Sequence, residues 1–309
     1  MTTASARALL VSLVDYAGLF PPAELAMDAA VAEYRRWRRS PQAWMLGRFV
    51  VPAVRLAELA TRLDPDGAPP EGLSALLGRD LQADLARVQA FNAGQRGRAC
   101  VDTVELKAAR ADELTAALAA IPPALVAYVE LPVGSRGQAS PADIDARSSM
   151  RPDPDLLALL HARGARAKVR TGGVVAAAIP SVAELAGFLA ATAAALAPFK
   201  ATAGLHHAIR GEYPLTYQAK APRAVMHGFL NVFAAAVIAR SGAAPGELEA
   251  VLEERDPRAF RLDEEGLGWR DRRVTTAQVA RCRADFALSF GSCSFAEPVD
   301  ELRALGLLP

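Results

Sequence analysis

Residues 198–207 read PFKATAGLHH, and the way they alternate decides the fold. Side chains two apart on an extended strand share a face, so Lys200, Thr202, Gly204 and His206 stand against Ala201, Ala203 and Leu205. Three neighbouring stretches repeat the division. CVDTVELKA (100–108) sets Glu105 and Lys107 against Val104 and Leu106, and LVAYVELPV (125–133) sets Tyr128, Glu130 and Pro132 against Val129 and Leu131. RAKVRTGG (166–173) sets Lys168 and Arg170 against Ala167 and Val169. A parallel barrel wrapped in helices buries such apolar faces outward and turns the polar faces toward its axis.

Working outward, four more stretches complete a set of eight strands: SLVDYAGLF (12–20), RFVVPA (48–53), LSALLG (73–78) and FGSCSF (290–295), the last the weakest. Between them lie helical segments rich in alanine and leucine: DLQADLARVQAFNAG, ADELTAALAAI, DPDLLALLHARG and SVAELAGFLAATAAAL. The last of these follows a proline and opens on a serine suited to cap it. Strand and helix in alternation define an α/β fold, a (β/α)8 TIM-type barrel forming a single domain over residues 1–309, with an open doubly wound sheet as the competing arrangement. Residues 208–285 are too many for an ordinary connection and read as an insertion before the last strand. It holds the helix HGFLNVFAAAVIARSG, a hairpin in FRLDEEGLGWRDRRV and a helix opened by Thr275 with Gln278 as its capping-box partner. Both a cover for the mouth and a rigid side layer are compatible with it. RLDPDGAPPEG (62–72) and the stretch 134–155 read as surface loops.

With 52% hydrophobic and 22% charged residues, the chain has the composition of a globular protein with a large core. Thirty-five basic residues against 34 acidic ones leave a net charge of +1, which supplies no field for gathering nucleic acid or an anionic membrane. The densest basic run, YRRWRRS (34–40), reads as a solvated helix face with Tyr34 and Trp37 turned inward. Three cysteines, with no CxxC spacing, make neither a disulfide framework nor a zinc knot and place the protein in a reducing cytoplasm. ARALLVSLVDYAGLF is interrupted by Asp15 and reads as a first strand, not a signal peptide. The apolar runs fall short of the roughly 20 residues of a membrane helix. The expected partner is a small molecule, and a homo-oligomer is compatible with the chain.

The inward faces bring Glu105, Lys107, Glu130, Lys168, Arg170, Lys200 and His206 to the barrel interior. Unpaired charges there cost several kcal/mol each, so these must pair, lose charge, or meet water and ligand. One reading is a catalytic mouth, since most of them sit toward the C-terminal ends of strands. The other is a sealed salt-bridge network in which Glu105 and Glu130 neutralise the cations. Accessibility separates the two.

A lysine in a partly dry, cationic site can lose its proton and attack a carbonyl, which makes Lys200 the candidate Schiff-base nucleophile. Lys168 and Arg170 are placed to depress its pKa or hold an anion, Glu130 or Glu105 to move protons, and His206 completes the catalytic set. Arg170, Lys107, Asp15, Gly172, Gly173 and Ser292 form the candidate substrate-binding set. PFKATAG resembles the Schiff-base strand of the deoxyribose-phosphate aldolase family, a likeness of about seven residues that implies Lys200 as nucleophile and Gly204 as the closing glycine. That family's later lysine strand ends in paired glycines, and the nearest form here, KVRTGG (168–173), comes earlier. More broadly, DYAGLFPPA, FKATAGLHH, HGFLN and FGSCSF resemble signatures of an uncharacterised bacterial barrel-like family. That resemblance implies a shared fold and site without an established reaction.

His206, His207 and His227, with Asp15 and Glu130, are candidate ligands for a divalent metal. The glycines of TGG (171–173) and the GSCS turn (291–294) are candidate anion cradles, GSCS at the position where many barrels bind phosphate. Cys293 is a candidate nucleophile, but with no base partner legible nearby it reads first as a small packed thiol. Asp15 either reaches the mouth or pairs with an interior cation, tying the first strand to the last ones.

The leading reading is an enzyme acting on a small anionic carbonyl metabolite, a Schiff-base aldolase or lyase that requires no cofactor. A metal-dependent lyase, isomerase or hydrolase and a non-catalytic anion-binding barrel are the alternatives.

Overall fold

Phe199 carries aromatic neighbours on two sides, and its packing shows why the alternation of the seventh barrel strand is obeyed. In the computed structural model, which describes residues 1–63, 72–95, 98–132 and 151–309, its ring meets Phe188 at 5.6 Å, Phe286 at 5.1 Å and Phe233 at 6.3 Å between centroids. These neighbours lie outside the sheet. Lys200, the next residue, therefore faces the axis.

The barrel strands are β1 (Val14–Tyr16), β2 (Leu46–Pro52), β3 (Leu73–Leu76), β4 (Val101–Lys107), β5 (Val126–Glu130), β6 (Arg166–Arg170) and β7 (Phe199–Thr202). An excursion then holds β8 (Gly211–Pro214), β9 (Arg223–Met226), β10 (Phe260–Leu262), β11 (Gly266–Trp269) and β12 (Arg272–Thr275). The eighth barrel strand is β13 (Ala287–Ser292). All eight pair in parallel and close in the order β1-β13-β7-β6-β5-β4-β3-β2. Each is followed by a helix, which defines a (β/α)8 barrel and removes the open-sheet alternative.

Local chemistry starts the helices where expected. Ser181 and Glu184 form a reciprocal capping box at the head of the helix Val182–Ala194, and Thr275 with Gln278 does the same for Thr276–Asp285. Asp80 caps Leu81–Gly94. Val104, Val129, Val169 and Ala201 are fully buried on the outer strand faces, between sheet and helices. Residues 176–194 are, among the described residues, the one helical stretch long and apolar enough by composition to cross a membrane. Pro180 interrupts that stretch, and Leu185, Ala186, Phe188 and Leu189 bury in the core.

Four readings change. The N-terminal stretch is not one strand: its good helix formers make a helix, Ala4–Leu10, capped by Thr3, and only three residues enter β1. The strand around Lys200 stops at Thr202, because Ala203 (φ 59°) and Gly204 (φ +77°) turn left-handed. The last strand lies three residues earlier than FGSCSF, and Cys293 already follows it. The 208–285 segment does carry extra elements before the last strand, but not all of it is insertion. Its helix Phe229–Ala239 is the barrel's own layer between β7 and β13, with Phe229 stacked on Phe290 at 5.3 Å.

The remainder divides between the two ends of the barrel. The β8–β9 hairpin follows the C-terminal end of β7 and stands at the mouth. The antiparallel meander β10-β11-β12 sits at the other end, where Thr3 donates to the Leu262 carbonyl and the Ser5 amide to that of Asp263. The loops read at 62–72 and 134–155 fall mostly outside the described residues, as does Val133.

Candidate functional site

Three parallel neighbours place the central charges by register alone: Glu130 is level with Lys168, and Lys168 with Lys200. Lys200 Nζ donates to Asp15 Oδ2 at 2.6 Å and to Glu105 Oε1 at 2.7 Å. Lys168 Nζ bridges Glu105 Oε2 at 2.9 Å and Glu130 Oε2 at 3.1 Å. Two hydroxyls complete the layer, Ser289 donating to Asp15 and Ser74 to Glu105. Asp15 also accepts from the Arg48 backbone amide at 2.8 Å. Gly47 makes that approach feasible, since a Cβ there would come within 2.4 Å of the carboxylate.

Above this floor opens a cavity of about 360 Å3 at the C-terminal end of the strands, walled by Lys107, Glu130, Lys168, Arg170, Lys200 and His206. At its rim Arg170 Nε lies 3.2 Å and Lys107 Nζ 3.4 Å from Glu130 Oε1, so three cations share one carboxylate. Counting Asp15 beneath the floor, four lysine and arginine charges meet three carboxylates. One positive charge is left at the wet end.

Burial raises the Glu105 carboxyl, but Lys168 and Lys200 more than offset it and hold the group well below the usual carboxylate range. Glu130 is lowered in the same way by Lys168, Arg170 and Lys107. For Lys200 burial acts downward, and the Asp15 and Glu105 carboxylates outweigh it, leaving the ammonium raised. This reverses the expected depression by Lys168 and Arg170, because Asp15 and Glu105 bond the ammonium directly.

His206 lines the cavity as expected. Its Nδ1 is 3.4 Å from Glu297 and 3.7 Å from Cys293 Sγ. Burial pushes the imidazole down, yet these two partners carry it up to about 10. His207 stacks on Tyr213 and bonds to Glu301. His227 contacts the Pro180 carbonyl through Nε2 at 2.8 Å and Arg210 through Nδ1, and burial pushes it down to about 4. The three histidines are therefore committed separately. Among the described residues no group of three His, Cys, Asp or Glu side chains is placed to hold a metal ion.

Three candidate binding residues have other uses. Asp15 lies below Lys200 and faces a second cavity of about 440 Å3 at the opposite end of the barrel, not the mouth. Arg48, Arg166 and Arg283 border that cavity, and they donate respectively to Asp102, to the Tyr128 hydroxyl, and to the carbonyls of Leu9, Val11, Ala287 and Leu288. Gly172 gives close approach to protein, not to an anion: a Cβ on Gly204 would stand 2.7 Å from its Cα. Ser292 is 1% exposed and donates to the Ser294 carbonyl at 2.6 Å, while Gly173 does line the mouth. Ser74, Ser289, Tyr217 and Glu297 are the site residues that sequence reasoning missed, and Cys293 has the neighbours that its sequence reading lacked. Only Ser74 carried a signal, as a polar residue on the inward face of LSALLG.

Comparison of the chain with family models, with curated proteins and with solved structures finds no match. The fold and site define a (β/α)8 barrel with a positively biased mouth over a lysine–carboxylate floor.

Proposed function

We propose that the protein is an enzyme acting on a small anionic carbonyl metabolite, an aldolase or lyase working through a Schiff base on Lys200. The observation that carries this reading is the mouth cavity, where Lys107, Lys168 and Arg170 crowd one carboxylate directly above Lys200. An anionic group supplies the charge missing at Arg170 and Lys107, which leaves its carbonyl directed at the floor.

Lys200 must first lose a proton, and Glu105 at 2.7 Å is positioned to take it. The amine then bonds to the carbonyl carbon, the π pair passes to oxygen, and water leaves as the iminium forms. Glu130 and Lys168 carry protons to and from the adjacent carbon when the carbon–carbon bond breaks or forms. No cofactor is required by this route. The resemblance of PFKATAG to the aldolase strand supports the choice of lysine, and three free cysteines support a reducing cytoplasm.

Borohydride trapping with glyoxylate, pyruvate and small aldehydes tests the reading. The expected result is a reduced adduct on Lys200, found by peptide mass spectrometry and absent from Lys200→Met. A folded wild-type sample that yields no adduct from any of them overturns it.

One observation favours a second reading: Lys200 is 1% exposed and its ammonium is held between two carboxylates. That arrangement suits a barrel that binds an anion without turning it over. Binding at Arg170 with no adduct and no product is its expected signature. The separate commitments of His206, His207 and His227 lend no support to the metal-dependent alternative.

A further inference from the structure

Cys293 follows the last residue of β13 and lines the same cavity as Lys168 and Lys200. Its Sγ lies 3.7 Å from His206 Nδ1 and 3.5 Å from the Tyr217 hydroxyl. Glu297 holds both of these neighbours, the imidazole at 3.4 Å and the hydroxyl at 3.1 Å. Two distant parts of the chain thus converge on one sulfur, the exit of β7 and the turn between β8 and β9, and Glu297 in the first turn of the helix Ala296–Ala304 holds both. The other cysteines have no such company. Burial pushes the Cys282 thiol up to about 12, and burial together with Asp102 raises that of the exposed Cys100.

A thiol becomes a practical nucleophile when a base or imidazolium stands beside it and an electrophile can reach it. Cys293 meets the first condition through His206 and the second through the mouth. We propose that Cys293 is a second nucleophile of the mouth, adding to the aldehyde carbon of a small anionic compound while His206 carries the proton. The inference rests on the substrate class proposed above and adds a residue to that same site.

In the step, the thiol proton passes to the His206 imidazole, Sγ bonds to the aldehyde carbon and the π pair moves to oxygen. His206 then gives that same proton to the oxygen. The product is a hemithioacetal, formed without oxidant or reductant. The partners that raise the imidazole to about 10 favour the imidazolium that carries the proton from sulfur to oxygen.

The test measures iodoacetamide labelling of the full chain at pH 7.5, cysteine by cysteine, by peptide mass spectrometry. Cys293 is expected to label about tenfold faster than the more exposed Cys100, and His206→Asn to remove most of that advantage. Should His206→Asn expose Cys282, which signals unfolding, Glu297→Gln replaces it and is expected to slow labelling to a lesser degree. Glyoxylate at millimolar concentration is expected to protect Cys293 in the wild type and equally in Lys200→Met.

Labelling of Cys293 no faster than Cys100, an unchanged rate in both folded variants, or absence of protection by glyoxylate each overturns the proposal. The two readings fail separately. Protection of Cys293 without a borohydride adduct on Lys200 keeps the thiol and discards the aldolase, and the converse result does the opposite.

Discussion

At the floor of the mouth each ammonium meets two carboxylates, whereas at the rim three cations lean on one. Both regions belong to one row of charges along the barrel axis, yet they are built for different surroundings. The floor excludes water, so every charge must be answered by protein. The rim meets solvent: the Arg170 side chain is 43% exposed and that of Lys107 68% exposed, and an uncompensated charge is cheap there. Stability therefore belongs to the floor, and the rim is where the proposed anionic ligand would be held.

The sharpest way to break this division is Glu105→Ala. It leaves Lys168 and Lys200 without the carboxylate they share, and the expected loss is about 3–5 kcal/mol in urea unfolding. A loss no larger than that of a surface change would mean that the floor is hydrated. Lys200→Met should cost less, about 2 kcal/mol, because Ser74, Lys168, Ser289 and the Arg48 amide still serve the two carboxylates. Adding Asp15→Asn to it is expected to recover part of that loss, a coupling that a double-mutant cycle reads directly.

Arg170→Ala should shift stability by less than about 1 kcal/mol while weakening glyoxylate binding about tenfold in calorimetry. A stability loss comparable to that of Glu105→Ala would merge rim and floor into one structural network.

The smallest expected effects separate two histidines by sign. His206 is raised from 6.5 to about 10, so its contribution is complete below pH 6.5 and fades as the pH climbs toward 10. His227 is lowered from 6.5 to about 4, so its contribution is complete above pH 6.5 and is lost as the pH falls toward 4. Melting temperatures across pH should accordingly lose part of their alkaline slope in His206→Gln and part of their acid slope in His227→Gln. Identical profiles for the two variants would contradict the assigned environments.

The legible part of the molecule was whatever alternation records. Val104, Glu105, Leu106 and Lys107 declare two faces in four residues, and the closed barrel follows from the same division on neighbouring strands. Alternation fails where the backbone leaves the strand. Ala203 and Gly204 turn left-handed, so the approach of His206 to Cys293 could not be read from their spacing. Nor does a strand pattern reveal what lies across the barrel. Asp15 and Lys200 are 185 residues apart, and only ring closure shows that their attraction raises the lysine, not lowers it. The helix Ala4–Leu10 was missed for another reason: its alanines and leucines satisfy an apolar strand and a buried helix equally well.

The seating of β1 between β2 and β13 also has a consequence for the order of assembly. Val14 is level with Leu46 on one side and Phe290 on the other, while Thr3 and Ser5 bond to residues 262 and 263. As the ribosome releases the chain, the first strand can dock on the second early, but its other edge and the partner of Asp15 come much later. Until β13 has emerged the nascent sheet has two unpaired edges, so closure of the ring waits on contacts between the two ends of the chain.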